Sequence, residues 1–197
     1  MLNAYTVKID GDLSRADAAV LTMLCRNKEV IEFGVGASSL IISQVAKSLK
    51  CYDTDQNWID KVNGKLKLIE NKTCEPELKL IEKKPEAAKG LGEPCDILFD
   101  DGWSLLRFPF LLEFWSYLRE KAILHDSRMS YAGNVVKQFL DLFTIKNEPS
   151  KFNPGNPDNP YTGSLESIQW NWLESNMVIM QKRNCTLTYE NWKLSEI

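Results

Sequence analysis

The stretch Glu29-Val30-Ile31-Glu32-Phe33-Gly34-Val35-Gly36-Ala37-Ser38-Ser39-Leu40 decides how this chain folds. Val30, Ile31 and Phe33 form the apolar run that a central parallel strand needs when both of its faces are covered. Gly34 permits a sharp exit from that strand. Gly36 removes a Cβ where a ligand's ribose or amino-acid end must approach the backbone. Ala37, Ser38 and Ser39 then open a helix continued by Leu40, Ile41, Ile42, Val45 and Ala46, so its free N–H groups face the same cavity. Strand, Gly-x-Gly turn and helix in this order predict a Rossmann-like sheet presenting a nucleotide.

Position 39 is Ser, so the third glycine of a full G-x-G-x-x-G is missing. A dinucleotide pyrophosphate wants that pattern more than a sulfonium cofactor does. Downstream, KSLKCYDTD reads as the next strand. It ends in Asp53, which follows the turn by the roughly 20 residues expected of a ribose-binding acid. The competing explanation is local: two glycines making a tight turn, and Asp53 capping the following helix. Glu32 adds an electrostatic argument, because an acid suits a cationic, amino-bearing ligand and would repel a pyrophosphate.

The segment E-x-G-x-G-x-S-S followed by Y-D-x-D resembles the first two motifs of class I S-adenosylmethionine-dependent methyltransferases, especially the small-molecule O-methyltransferase branches. The resemblance implies that Glu32, Gly34, Gly36, Ser38 and Ser39 hold the methionine part of S-adenosylmethionine and that Asp53 holds its ribose. After the third predicted strand, ELKLIE, such enzymes often place an adenine-facing acid. Here Glu82-Lys83-Lys84 gives no clear match.

The second informative cluster is CDILFDDGW. Ile97, Leu98 and Phe99 form a strand core, and Asp100 and Asp101 emerge at its carboxyl end, where open α/β sheets bind ligands. Two acids there suit either a divalent cation or helix capping. Pro109 fits a first helical position, which predicts a helix over 109–120 and leaves both acids in a loop. Phe110, Phe114 and Tyr117 make that helix apolar on more than one face, as a dimer surface or a deeply buried helix would be. The next strand, KAILHDSR, brings His125, Asp126 and Ser127 to the same rim. Alternation turns the His125 ring away from the pocket relative to Asp126.

D-I-L-F-D-D-G-W followed by A-I-L-H-D-S is similar to the fourth- and fifth-strand motifs of O-methyltransferases related to the catechol, caffeoyl-coenzyme A and macrolide-sugar enzymes. By that resemblance Asp101 and Asp126 match two Mg²⁺-binding acids, Ser127 replaces an Asn ligand, and Ser104 stands where the catechol-type enzymes carry a catalytic Lys. With metal, Mg²⁺ on Asp101, Asp126 and Ser127 would lower the pKa of a substrate hydroxyl and orient it. Without it, Asp101, Asp126 or His125 would accept the hydroxyl proton.

Composition bounds the rest. The chain has 197 residues, 44% of them hydrophobic, and a formal charge of −3, which predicts one domain and argues against a broad phosphate-binding surface. Five scattered cysteines and a single histidine suit neither a disulfide framework nor a multi-histidine metal centre. The N-terminus lacks a basic region followed by an apolar core, and no window reaches membrane-spanning length, so the expectation is a cytoplasmic protein without membrane or nucleic-acid partners. Residues 1–28 read as an N-terminal helical segment, with a helix from Asp12 to Arg26. Residues 149–163, rich in Pro, Gly and Asn, read as a loop or lid that could carry Asn159 or Tyr161. SLESIQWNW and NMVIMQKR read as closing strands, with Trp170 and Trp172 on one strand face.

The expected fold is therefore a doubly wound α/β sheet, Rossmann-like and mostly parallel, of seven strands with a C-terminal antiparallel hairpin. The expected activity is methyl transfer from S-adenosylmethionine to a hydroxyl of a small polar molecule, the chain acting as a monomer or homodimer. An NAD-linked oxidoreductase, an aminopropyl transferase and a non-catalytic cofactor-binding protein are the alternatives.

Overall fold

The computed structural model describes Leu13, residues 15–125, 168–170 and 177–181. Five strands run parallel: β1 (Glu29–Phe33), β2 (Ser48–Asp53), β3 (Glu77–Leu80), β4 (Cys95–Asp100) and β5 (Leu118–Leu124), in the spatial order β3-β2-β1-β4-β5. β1 lies between β2 and β4, so the direction of winding reverses between β1 and β4. Their carboxyl ends flank the crevice where open α/β sheets bind ligands.

Helices α1 (Arg15–Leu24), α2 (Ala37–Ile42) and α3 (Gln56–Leu66) contribute to one core with Val30, Leu49, Cys51, Ile97, Phe99 and Ile123. α4 (Ser104–Trp115) packs in the other core with Ile31, Phe33, Tyr52, Leu98 and Ala122. Alternate residues of β1 and β4 thus enter opposite cores, which is why these strands read as continuous apolar runs. Beyond β5, the short segments β6 (Ile168–Trp170) and β7 (Val178–Gln181) are in antiparallel register, β7 against β5 and β6 against β7.

Several boundaries differ from expectation. α1 is shorter than Asp12–Arg26, and Val20 is buried while Ala19 is exposed. α2 ends at Ile42, before Val45 and Ala46, because the Ser43 hydroxyl and the Gln44 amide both donate to the Leu40 carbonyl, at 2.9 and 2.8 Å. α3 is capped by Asp55, which accepts from the N–H groups of Asn57 and Trp58. Asp53 is therefore not the cap.

The largest correction concerns α4, which begins at Ser104 rather than at Pro109, carries Pro109 inside it and ends at Trp115, so that Leu118–Glu120 belong to β5 and not to the expected helix. A proline there removes one intrahelical bond, to the carbonyl of Leu105. Leu105 is exposed, so that carbonyl can turn to water. The helix is held by its packing: Phe110 stacks on Phe33 and on Phe114 with centroids 4.6 Å apart in each pair, and meets the Tyr52 ring edge-on at 5.5 Å. Burial of Leu106, Phe110, Leu111, Leu112, Phe114 and Trp115 accounts for the breadth of its apolar surface.

Candidate functional site

A cavity of about 250 Å³ opens at the carboxyl ends of β1, β2 and β4. Its walls are the turn Gly34–Ala37 with Ser38, the Asp53 side chain, the Asp101-Gly102-Trp103 segment, Trp58 and Leu13.

The turn is shaped by two different demands. Gly34 has φ +94°, and a Cβ there would lie 2.6 Å from the backbone of Asp101. Only glycine fits that conformation and that approach. Gly102 answers from the other side: a Cβ on it would meet the Phe33 ring at 2.4 Å. Gly36 is under no such pressure, since the nearest atom to a Cβ among the described residues would be Ser38 Oγ at 3.9 Å. A side chain on Gly36 would stand in open cavity space, so the absence of one leaves room for a ligand, which fits a cofactor pressed against this turn.

Glu32 does not line the cavity. It is fully buried beneath α2 and accepts hydrogen bonds from the hydroxyls of Ser38 and Ser39, the latter at 2.6 Å, and from the Cys51 thiol at 3.0 Å. Ser39 Oγ in turn accepts the Gly36 N–H at 3.0 Å. Glu32 thus ties the glycine turn to α2 through two serines. Burial pushes its carboxyl up to about 7, against the pull of those three donors.

Asp53 faces the cavity and is already engaged by backbone. Oδ2 accepts the Val35 N–H at 2.8 Å, and Oδ1 accepts from Thr54 and Asp55 at 2.6 and 2.9 Å. Burial lifts its carboxyl above the ordinary range while these three bonds pull it back. A carboxylate offers about four acceptor positions, so Oδ2 keeps one for a ligand.

The acids at the carboxyl end of β4 part company. Asp100 is fully buried outside the cavity wall, and neither carboxylate oxygen has a hydrogen-bond partner among the described residues. Burial pushes it up to about 8, opposed by the Arg107 charge, and the Gly102 N–H pulls on it weakly without completing a bond. Asp101 lines the cavity, and its Oδ1 takes both Arg107 Nη2 at 2.9 Å and His125 Nδ1 at 3.0 Å. The His125 ring is 2% exposed and is not part of the cavity wall; its Nε2 lies 3.5 Å from an Asp17 carboxylate oxygen on α1. It supports Asp101 from behind.

Arg107 escaped the sequence reading. It sits in an apolar helix, is 5% exposed, and makes two further bonds, to the carbonyls of Gly102 at 2.8 Å and His125 at 3.0 Å. An Arg four residues beyond a strand-end Asp-Gly-Trp is the only signal the sequence offered for it.

The magnesium expectation gains no support. No group of three His, Cys, Asp or Glu side chains able to hold a metal ion occurs among the described residues. One oxygen of Asp101 is shared by a guanidinium and an imidazole, which leaves little negative charge for a cation. Asp126, Ser127, the 149–163 loop with Asn159 and Tyr161, and Trp172 lie outside the described residues, as does the Trp170 side chain. Among the described residues no helix is long and apolar enough to cross a membrane.

No protein-family model and no curated protein sequence matches the chain. Solved structures do. A methyltransferase-like protein from Silicibacter pomeroyi DSS-3 aligns with TM-score 0.60 at 14% identity, covering 88% of each chain. The O-methyltransferase TomG from Streptomyces achromogenes, involved in tomaymycin synthesis and solved with S-adenosylmethionine, aligns with TM-score 0.58 at 10% identity over 87% of this chain and 82% of its own. An rRNA methylase from Streptococcus thermophilus gives TM-score 0.52 at 11% identity over 89% and 99%. The parallel five-stranded α/β sheet is that of S-adenosylmethionine-dependent methyltransferases.

Proposed function

We propose that this protein transfers a methyl group from S-adenosylmethionine to a hydroxyl of a small polar molecule. The observation that carries the reading is Gly36: at the point where the sheet reverses its winding, a glycine required by no neighbour among the described residues faces an open cavity beside a carboxylate. The cofactor supplies an electrophilic methyl group when bound. Gly34, Gly36 and Ser38 would receive its methionine end, with Glu32 and Ser39, which is buried outside the cavity wall, acting on them from beneath rather than by contact. Asp53 would accept one ribose hydroxyl through Oδ2, the position its backbone bonds leave over.

On the opposite wall, Asp101 would accept the hydrogen bond of the acceptor hydroxyl and hold it toward the methyl group. His125, turned away from the cavity, would touch Asp101 and not the substrate. The formal charge of −3 favours a small acceptor over nucleic acid, and TomG supports oxygen as the acceptor atom. We read residues 1–197 as a single domain, with β6 and β7 as the terminal antiparallel hairpin of a seven-stranded sheet.

Calorimetry tests the reading. S-adenosylhomocysteine should bind one per chain, and NAD⁺ should not. Binding of NAD⁺ with none of S-adenosylhomocysteine would replace methyl transfer by redox chemistry.

A further inference from the structure

The chemistry at Asp101 depends on which way its carboxylate turns, and the two groups that fix it converge on one oxygen. Arg107 Nη2 and His125 Nδ1 both approach Oδ1, at 2.9 and 3.0 Å, and neither uses Oδ2. An ionised carboxylate only accepts, so the imidazole must donate Nδ1–H.

The guanidinium is itself fixed in the plane. Nε donates to the Gly102 carbonyl at 2.8 Å and Nη1 to the His125 carbonyl at 3.0 Å, so Arg107 spans from α4 to the residues that follow β4 and β5. A planar fork with donors in several directions can satisfy all three acceptors at once, whereas a lysine ammonium in the same space cannot. The same two carbonyls flank the cavity segment Asp101-Gly102, whose backbone packs against Gly34. Holding that segment therefore also holds the glycine turn.

We propose that Arg107 is a positioning residue for Asp101: clamped on the Gly102 and His125 carbonyls, it pins Oδ1 jointly with His125 and leaves Oδ2 as the oxygen that meets a ligand. Arg107 never touches that ligand. The claim that the ligand is a hydroxyl acceptor rests on the methyl-transfer reading; the clamp itself does not.

His125 is the only histidine, so its ring gives a single, unambiguous set of resonances. The test uses the full chain with ¹⁵N-labelled histidine. The wild type should show one Nδ1–H proton protected from exchange, and Asp101→Ala should abolish that protection. Arg107→Lys, which keeps the charge and loses the fork, should speed its exchange by about tenfold or more, the effect of freeing a charge-assisted bond. A role for Arg107 confined to bridging two carbonyls would lower Tm and leave the Nδ1–H signal as in the wild type, and that result overturns the proposal. So does a wild type without the protected proton, or one in which Asp101→Ala leaves it intact, and either of these outcomes overturns it even where Arg107→Lys fails to fold. S-adenosylhomocysteine calorimetry on the wild-type sample separates the two claims: no binding there defeats the methyl-transfer reading, while the Nδ1–H signal still judges the clamp.

Discussion

Gly34 and Gly36 stand two residues apart and answer to different masters, which makes them separable by experiment. Gly34→Ala forces a Cβ onto the Asp101 backbone at positive φ and should cost on the order of 3 kcal/mol in chemical denaturation. Gly36→Ala should leave stability within about 1 kcal/mol, since no described atom crowds the position, while weakening S-adenosylhomocysteine binding in calorimetry. Asp53→Ala should weaken that binding by about 1.5–3 kcal/mol if its remaining lone pair holds a ribose hydroxyl. Unchanged affinity would remove it from the site. Two buried acids set the pH dependence. Glu32 is raised to about 7 and Asp100 to about 8 by burial, so the folded chain keeps protons that unfolded carboxyls release near pH 4. Their contribution is intact at low pH and is lost as pH rises toward 8, with a slope of at most about 1.4 kcal/mol per pH unit for each group. Denaturation at pH 5.5 and 8 should show the loss, and Asp100→Asn should flatten it. At this scale the glycine turn, Asp53 and Asp101 were legible, because each stands at a strand end in a short motif. Glu32 was legible as important but not in its role. The sequence does not say that Ser38 and Ser39 reach back to it, nor that Asp100 and Asp101 point into different surroundings.

Among the elements, α4 shows where sequence reasoning and packing disagree. Pro109 argues for a helix start, and one intrahelical bond is lost where the helix instead continues through it. The stacked rings of Phe33, Phe110 and Phe114 outweigh that loss, together with Arg107, whose bonds to Gly102 and His125 need the first turn in place. Phe110→Ala should cost about 3–5 kcal/mol in urea or guanidinium denaturation, by emptying the centre of this aromatic column. A loss below 1 kcal/mol would mean that α4 is held by its polar clamp alone. The strand cores were plainer, although β5 begins at Leu118, inside the segment read as helix. β1 and β4 announce themselves by apolar runs covered on both faces, whereas β2 is interrupted by the partly exposed Lys50.

For the molecule as a whole, the reversal between β1 and β4 gathers the glycine turn, Asp53 and Asp101 around one cavity. A ligand seated there touches the ends of three strands and should stabilise them together. S-adenosylhomocysteine at 100 times its dissociation constant should add about 2.7 kcal/mol, read as a rise in Tm, and NAD⁺ at the same concentration should add none. What a sequence cannot deliver at this scale is mutual contact between distant segments. Arg107 in an apolar helix reads as a solvent-facing charge until β5 is laid beside β4 and its carbonyls come within reach.

The meshing of Phe33-Gly34 with Asp101-Gly102 carries a consequence for how such a protein can change. Each hairpin-free loop is the mould of the other, so lengthening or bulking one without retouching its mate would pry the crevice apart. New ligand preferences are best sought outside this interlock, at Leu13 and Trp103, where the cavity can be recarved while its glycines stay whole; Trp58, whose indole N–H donates to the Val35 carbonyl, belongs to the turn itself.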